Sequence, residues 1–187
     1  MLEAIQTIDF AILDGIQTIR CPFLDFLMPL ITMFGDNGIF WIAVSIALLF
    51  FRKYRTCGIA SLGSLLTGVL IGNVLIKNLV MRDRPCWINE TINMLIEIPM
   101  DYSFPSGHTT ASFTAATVIF LHDKRLGIPA YIIAVAVAFS RMYLYVHFPT
   151  DILVGAILGT GIAIGINALA KWAVPKISAK ISARKAA

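Results

Sequence analysis

The stretch Ser140-Arg-Met-Tyr-Leu-Tyr-Val-His-Phe-Pro-Thr-Asp151 lies at the junction of two apolar segments, 128–146 and 150–170. Each segment is close to the roughly 20 apolar residues that a helix needs to cross a bilayer. Arg141 therefore lies inside a predicted membrane span, where a charge costs about 2.5–3.5 kcal/mol on insertion scales. A charge at that depth predicts a functional site rather than a structural one.

The composition of the whole chain agrees with a membrane location. Hydrophobic residues make up 58% of the 187 residues and charged residues 14%, with a mean hydropathy of +0.80. Soluble domains are about 45–50% apolar and about 25% charged. These values exclude a disordered chain and disfavour a soluble globule. The length suits one domain, so we predict a single membrane domain over 1–187.

Six apolar segments predict an all-α integral membrane protein built as a six-transmembrane-helix bundle. The predicted spans are 22–34, 38–51, 57–76, 105–121, 128–146 and 150–170. A polar loop over 78–104 separates the third span from the fourth. The bundle core then covers 22–170, between an N-terminal amphipathic helix over 1–19 and a basic cytoplasmic tail over 171–187.

The N-terminal helix carries isoleucines at steps of three and four residues, which is the spacing of one helical stripe. The stripe comprises Ile5, Ile8, Ile12, Ile16 and Ile19. Helices that bind a membrane surface are usually basic, whereas the polar residues of this helix are mainly acidic. We therefore expect the helix to pack against the bundle.

The distribution of Lys and Arg predicts the orientation, because cytoplasmic loops are enriched in positive charge. Four of the basic residues fall on one predicted face, namely Lys77, Arg82, Arg84 and Arg141. Eleven fall on the other, namely Arg20, Arg52, Lys53, Arg55, Lys124, Arg125, Lys171, Lys176, Lys180, Arg184 and Lys185. Both termini are thus expected in the cytoplasm, with the minority face outward.

Two histidines and a carboxylate also fall on the outward face. His147 and Asp151 are one helical turn apart, so the carboxylate can reach one imidazole nitrogen. Holding a proton on Nδ1 leaves Nε2 free as a nucleophile. His108, at the start of the fourth span, is the candidate general acid and base. Taken alone, a His and an Asp at this spacing are weak evidence for catalysis.

An anion-binding cradle is expected around this pair. Lys77, Arg84 and Arg141 supply positive charge, and arginine also supplies forked donors. Taken alone, Lys77 or Arg84 is typical of a cation at the membrane interface. Ser106 and Gly107 precede His108 at a predicted helix N-terminus, where backbone N–H groups bind anions. Such a set of residues is typical of phosphoryl transfer.

Several alternatives to this chemistry are disfavoured by the residues themselves. No CxxC pair or convincing ligand set occurs, so no metal and no other cofactor are predicted. The only basic run is the C-terminal tail, so nucleic-acid binding is not expected. Arg82 shares the outer turn with Arg84 but stands outside the cradle, and it is expected to tolerate alanine.

Three motifs, taken in order, resemble the type 2 phosphatidic acid phosphatase (PAP2) superfamily. They are K-x6-R-P from Lys77 to Pro85, P-S-G-H from Pro105 to His108, and S-R-x5-H-x3-D from Ser140 to Asp151. The resemblance covers roughly 22–170. That superfamily includes membrane lipid phosphatases, soluble vanadium haloperoxidases and acid phosphatases. The resemblance implies a phosphohistidine on His147, metal independence, and six spans with an outward-facing site.

These observations predict a lipid phosphatase or pyrophosphatase at the outer face of a bacterial cytoplasmic (inner) membrane. By resemblance, undecaprenyl pyrophosphate is the favoured substrate; phosphatidate, phosphatidylglycerophosphate and diacylglycerol pyrophosphate are alternatives. A lipid phosphotransferase stays open, because only the phosphoryl acceptor differs. A haloperoxidase is disfavoured by the spans, and a non-catalytic lipid transporter by the intact His147 and Asp151. The oligomeric state is not predicted.

Overall fold

A computed structural model describes the backbone of residues 2–186 and the side chains of residues 3–174 and of Lys176. Within this part of the chain every regular element is helical, so the all-α prediction is confirmed. The predicted basic tail lies mostly outside the described side chains. The α-helices are α1 (Leu2–Gln17), α2 (Pro22–Thr32), α3 (Ile39–Phe50), α4 (Arg55–Gly68), α5 (Lys77–Val80), α6 (Pro85–Ile88), α7 (Gly107–His122), α8 (Lys124–Tyr143) and α9 (Pro149–Ala186).

The centre of the bundle is α7, which packs against α4, α8 and α9. Its inward residues are small, and Ala115 and Ala116 are fully buried. A glycine at residue 159 brings α9 close, since an added Cβ there would lie 2.5 Å from the carbonyl oxygen of Thr110. Small residues at such crossings let helix backbones approach closely. The Gly155-xxx-Gly159 pattern therefore packs within the bundle.

Four helical segments are long and apolar enough to cross a membrane: Pro22–Phe50, Arg52–Ile88, Lys124–Tyr143 and Pro149–Val174. A π-helical stretch, Val69–Ile76, lies within the second of these. The central helix α7 is not among them, because it has 16 residues and buries several Ser and Thr side chains. The first segment contains both of the first two predicted spans. The protein is thus a multi-pass membrane protein, and the count of six stays a prediction.

Helix α2 is shorter than the roughly 20 residues that a helix needs to cross a bilayer by itself. It has 11 residues, and both of its ends contact the end of α8. Tyr143 Oη donates to Asp25 at 2.6 Å, and Arg141 Nη1 donates to Thr32 Oγ1 at 2.6 Å. Just before α2, Arg20 donates to the carbonyl of Asn93 in the 78–104 loop at 3.0 Å. Placing Arg20 and that loop on opposite faces was therefore wrong.

Helix α1 docks at the same end of the bundle, mainly through residues outside the isoleucine stripe. Asp9 and Leu13 are buried, whereas Ile8 and Ile12 are 60% and 44% exposed. The prediction that this helix packs against the bundle is thus confirmed, although most of the isoleucine stripe is exposed. The acidic face packs because its polar groups find partners there, as when Tyr145 Oη donates to Asp14 at 2.8 Å. Ile5, Ile8, Ile12 and Ile19 stay exposed.

Candidate active site

One cavity of about 960 Å³ brings six of the eight predicted site residues together. They are Lys77, Arg84, Gly107, His108, Arg141 and His147. The other two, Ser106 and Asp151, are fully buried behind the cavity wall. The residues come from the ends of α4–α5, α7, α8 and α9, which meet at one end of the bundle.

His147 lies in the turn between α8 and α9 and is 1% exposed. Its Nε2 is 3.1 Å from Arg84 Nη1. Because a guanidinium can only donate, Nε2 must be the unprotonated nitrogen, and Nδ1 carries the proton. The contact with Arg84 thus selects the tautomer that a nucleophilic Nε2 requires.

The Nδ1 side of His147 faces a serine and an aspartate. Ser103 Oγ lies 3.3 Å from Nδ1 and donates to Asp151 Oδ2 at 2.5 Å. The direct distance from Nδ1 to Asp151 Oδ2 is 3.5 Å, longer than a normal hydrogen bond. Ser103 therefore bridges the predicted pair. The sequence carries no spacing signal for Ser103, because the loop alone brings it to α9.

Burial and neighbouring charges keep the imidazole of His147 neutral. Burial, reinforced by the positive charges of Arg84, Arg141 and Lys77, lowers the pKa of His147 well below its usual value. Both causes penalise the charged imidazolium. At neutral pH the ring therefore keeps the lone pair that an attack on phosphorus needs.

Arg141 is 3% exposed and lines the cavity. Its Nη1 is held by Thr32, but its Nε has no hydrogen-bond partner among the described residues. An unpaired buried donor costs roughly 1–3 kcal/mol. An anion that entered the cavity and accepted from Nε would remove this cost.

The other two cations share one carboxylate from the 78–104 loop. Arg84 Nη2 donates to Asp101 Oδ1 at 2.7 Å, and Lys77 Nζ contacts Asp101 Oδ2. Burial alone would raise the pKa of Asp101, but Lys77 and Arg84 lower it to about 2. Asp101 is therefore ionised where a phosphate would bind, and its 58% exposed side chain has room to move away. From the sequence alone, Asp101 could not be distinguished from the other acidic residues of the loop.

Ser106 and Gly107 lie against other residues of the protein in this structure. Ser106 is the N-cap of α7, and its Oγ accepts from the backbone N–H and the hydroxyl of Thr109 at 3.4 and 3.0 Å. A Cβ added at Gly107 would lie 2.8 Å from Asn73 Oδ1, so an amide fills the space beside this glycine. Direct contact of Ser106 and Gly107 with a phosphate stays a prediction.

His108 has an acidic partner that was missed in the sequence. Its Nε2 lies 2.7 Å from Asp36 Oδ1, in the kinked segment Met33–Gly38 between α2 and α3. Gly35 permits this approach, since a Cβ there would lie 2.6 Å from His108 Cδ2. The sequence indicated these residues only as a break between spans. Asp36 thus contacts the second histidine directly, whereas Asp151 faces the first through Ser103.

Arg82 has contacts that argue against its predicted tolerance of alanine. Its Nη1 donates to Asp151 Oδ1 at 2.7 Å, and its Nη2 donates to Asp9 Oδ2 at 2.7 Å. It thus touches the residue that faces His147, although it does not line the cavity.

A helical membrane bundle with a buried neutral histidine among three cations has the features of a membrane phosphatase. Comparison with known proteins agrees, and the chain belongs to the PAP2 superfamily, which matches residues 58–175. Several of its relatives are named phosphatases, so it is a hydrolase that acts on phosphoric ester bonds. The resemblance seen in the three sequence motifs is thereby confirmed.

Two curated relatives and one crystal structure illustrate the similarity. The undecaprenyl-diphosphatase of Sulfolobus acidocaldarius is 35% identical over 75% of this chain and 68% of that protein. Phosphatidylglycerophosphatase B of Bacillus subtilis is 34% identical over 84% of this chain and 80% of that protein. A transmembrane PAP2 type phosphatidylglycerolphosphate phosphatase from Bacillus subtilis has a TM-score of 0.75 and 30% identity, covering 91% of this chain and 88% of that one.

Proposed function

We propose that this protein is a metal-independent lipid pyrophosphatase that hydrolyses undecaprenyl pyrophosphate through a phosphohistidine. The observation that carries the proposal is a cavity lined both by His147, whose Nε2 is unprotonated, and by Arg141, whose Nε has no partner among the described residues. A nucleophile beside an unpaired donor is suited to a tetrahedral oxyanion.

In the proposed reaction His147 Nε2 attacks the terminal phosphorus and forms an N–P bond as the bridging P–O bond breaks. Lys77, Arg84 and Arg141 neutralise the charge on the transferred oxygens, and Asp101 gives up its contacts with Lys77 and Arg84. His108 protonates the leaving lipid phosphate. It then takes a proton from water, whose oxygen attacks the phosphohistidine and releases inorganic phosphate.

The walls of the same cavity support a lipid substrate. Beyond the cations the cavity is lined by Ile42, Leu62, Leu66 and Val69 from α3, α4 and the π-helical stretch. An apolar wall continuous with a charged end fits a phosphorylated lipid better than a soluble phosphate ester. The named activity of the Sulfolobus acidocaldarius relative favours a polyprenyl pyrophosphate.

We propose that the site faces outward and that the C-terminus lies in the cytoplasm of a bacterial cell. Because Arg20 donates to the carbonyl of Asn93 in the 78–104 loop, it is counted on the same face of the membrane as the active site. Ten basic residues then remain on the cytoplasmic face against five outside, so the charge rule still gives the same orientation. We therefore also propose that α1, α2 and the N-terminus lie at the outer surface, in place of the cytoplasmic N-terminus and the separate span over 22–34 that the sequence led us to expect.

Cys21 offers a test of this orientation, because it is exposed while Cys57 and Cys86 are buried. A membrane-impermeant maleimide should label Cys21 in intact spheroplasts. Labelling should be as complete as after detergent permeabilisation, and Cys21→Ser should remove it. Labelling that requires permeabilisation would place α1 and α2 in the cytoplasm.

The function is tested by phosphate release from purified protein in detergent with EDTA, with His147→Ala as the blank. The panel contains undecaprenyl pyrophosphate, phosphatidate, phosphatidylglycerophosphate and diacylglycerol pyrophosphate. We expect EDTA-resistant release, fastest from undecaprenyl pyrophosphate. Loss of all release in EDTA would overturn the metal-independent mechanism, and a preference for another lipid would overturn the substrate. Transfer of phosphate to an added alcohol in place of release would indicate a phosphotransferase.

Arg141→Lys is expected to lower kcat/KM by about 10²–10³-fold. Lysine keeps the positive charge but has a single side-chain nitrogen. It therefore cannot bind Thr32 through one nitrogen and the phosphate through another, as arginine can. The measurement is steady-state kinetics on the preferred lipid. Lys53→Arg is a matched control, since Lys53 is an exposed cation that pairs with Asp123 away from the cavity. Near-wild-type turnover in Arg141→Lys would show that Arg141 does not bind the phosphate through its fork.

A further inference from the structure

We propose that Arg82 and Asp9 are positioning residues for the reaction, and that the N-terminal helix is thereby part of the active-site scaffold. They act through Asp151, and neither lines the cavity. The inference rests on the proposed function for its kinetic consequences, whereas its structural consequence can be measured without any substrate.

Arg82 links three elements of the fold. Its Nη1 donates to Asp151 Oδ1 and to Thr150 Oγ1, each at 2.7 Å. Its Nη2 donates to Asp9 Oδ2 at 2.7 Å, and its guanidinium lies 4.0 Å from the centre of the Phe148 ring. Contacts to residues 148, 150 and 151 hold the cation against the turn that carries His147.

Asp9 closes the network from α1. It is 1% exposed, and besides Arg82 it accepts from the backbone N–H of Thr150 at 3.1 Å. That N–H belongs to the first turn of α9, where backbone donors lack helical partners and a carboxylate is favourable. A buried carboxylate is costly unless it is paired and hydrogen-bonded, and here both conditions are met. Asp9 therefore anchors Arg82 and the start of α9 together.

The two oxygens of Asp151 are held from different sides. Oδ2 accepts from Ser103 Oγ and from the backbone N–H of Phe148, at 2.5 and 2.9 Å. Oδ1 accepts from Arg82, which is the only Lys or Arg within 4.0 Å of Asp151 among the described residues. Without Arg82 the carboxylate would lose both its cationic partner and the contact that fixes its rotation. The Ser103 bridge to His147 Nδ1 depends on that rotation.

The docking of α1 does not depend on Arg82 alone. Tyr145 Oη donates to Asp14, and Gln17 Nε2 donates to the carbonyl of Tyr143 at 3.0 Å. Tyr145 also has a φ of 58°, an uncommon left-handed value for a residue with a side chain. Because the contacts of Asp14 and Gln17 with the bundle remain in Arg82 variants, these variants should fold, and a loss of activity can be assigned to positioning.

Kinetics separate positioning from substrate binding. Arg82→Ala and Asp9→Asn should each lower kcat by about 10–100-fold, as outer-shell changes commonly do, with KM nearly unchanged. Arg82→Lys should recover part of the loss, because a cation again reaches Asp151. In the Arg82→Ala background, Asp9→Asn should add little, since residues of one network are not additive. The control is Arg20→Ala, whose side chain is 21% exposed like that of Arg82 and pairs with Asp25 outside the site.

The substrate-free readout is nitrogen-15 NMR of labelled histidines, which is tractable because the chain has three. Assignment uses His108→Gln, His122→Gln and His147→Gln. Wild-type His147 should show the tautomer with the proton on Nδ1, and Arg82→Ala should shift it towards a mixture of tautomers. Arg20→Ala should leave it unchanged.

The outcomes distinguish this inference from the proposed function. Unchanged kcat and an unchanged tautomer in Arg82→Ala would overturn it. A fall in kcat with an unchanged tautomer and a lower Tm would also overturn it, by showing a merely structural role. If wild-type protein released no phosphate from any lipid but the tautomer still shifted, the function would fail and the positioning would stand.

Discussion

His147→Ala releases no phosphate above background from any lipid of the panel, a loss expected to be at least about 10⁴-fold. The reason is that Nε2 of His147 is the nitrogen that the contact with Arg84 leaves unprotonated. Without it the cations can still bind the phosphate, but no covalent intermediate can form. The measurement is phosphate release with lipid labelled at the terminal phosphate.

Trapping the intermediate gives the same prediction a direct readout. Wild-type protein quenched during turnover should carry acid-labile, base-stable phosphate, and His147→Ala should carry none. His122→Ala is the matched control, because His122 is hydrogen-bonded to Asn167 at 2.7 Å and does not line the cavity. Labelling that survived in His147→Ala would assign the covalent step to another residue.

The motif residues could be placed from the sequence because each spacing is a local property of a helix. Four positions separate His147 from Asp151 across the start of α9, and Ser106 precedes a run that begins a helix at Gly107. Apolar segments at either side then bring the helix ends together, because short connections make neighbouring helices antiparallel. The cations Lys77, Arg84 and Arg141 accordingly line the cavity that His147 lines.

The partners of these residues could not be predicted, because they come from distant segments with no shared spacing. Asp36 reaches His108 across 72 residues, and Arg82 reaches Asp9 across 73. Loop positions such as Ser103 and Asp101 depend on how the 78–104 segment folds over the helix ends. A sequence that shows several acidic residues in one loop does not say which of them meets a cation.

The first two helices were misread for a related reason. Hydropathy reports that a segment is apolar, but not whether it crosses the membrane or lies at its surface. The 11 residues of α2 are too few to cross alone, yet the neighbouring α3 made the segment look like half of a helical pair. In α1 the isoleucine spacing predicted the helix but did not identify Asp9 as one of its buried residues.

Asp151→Asn should lower kcat by about 10³–10⁴-fold, the loss expected when a histidine is held in the wrong tautomer. The carboxylate can only accept, so the Ser103 hydroxyl must donate to it and can then accept from His147 Nδ1. An amide can present N–H instead, and Ser103 would then turn its proton towards Nδ1. The proton of His147 would move to Nε2, where it would meet Arg84 Nη1 and remove the nucleophilic lone pair.

This argument predicts which kinetic constant changes. The cations that bind the phosphate do not contact the amide at residue 151, so KM should stay within about threefold of wild type while kcat falls. Asp25→Asn is the matched control, since Asp25 also accepts from a hydroxyl and pairs with an arginine, but outside the cavity. Equal losses in both variants would trace the effect to stability. An unaltered kcat in Asp151→Asn would mean that Ser103 alone orients the nucleophile.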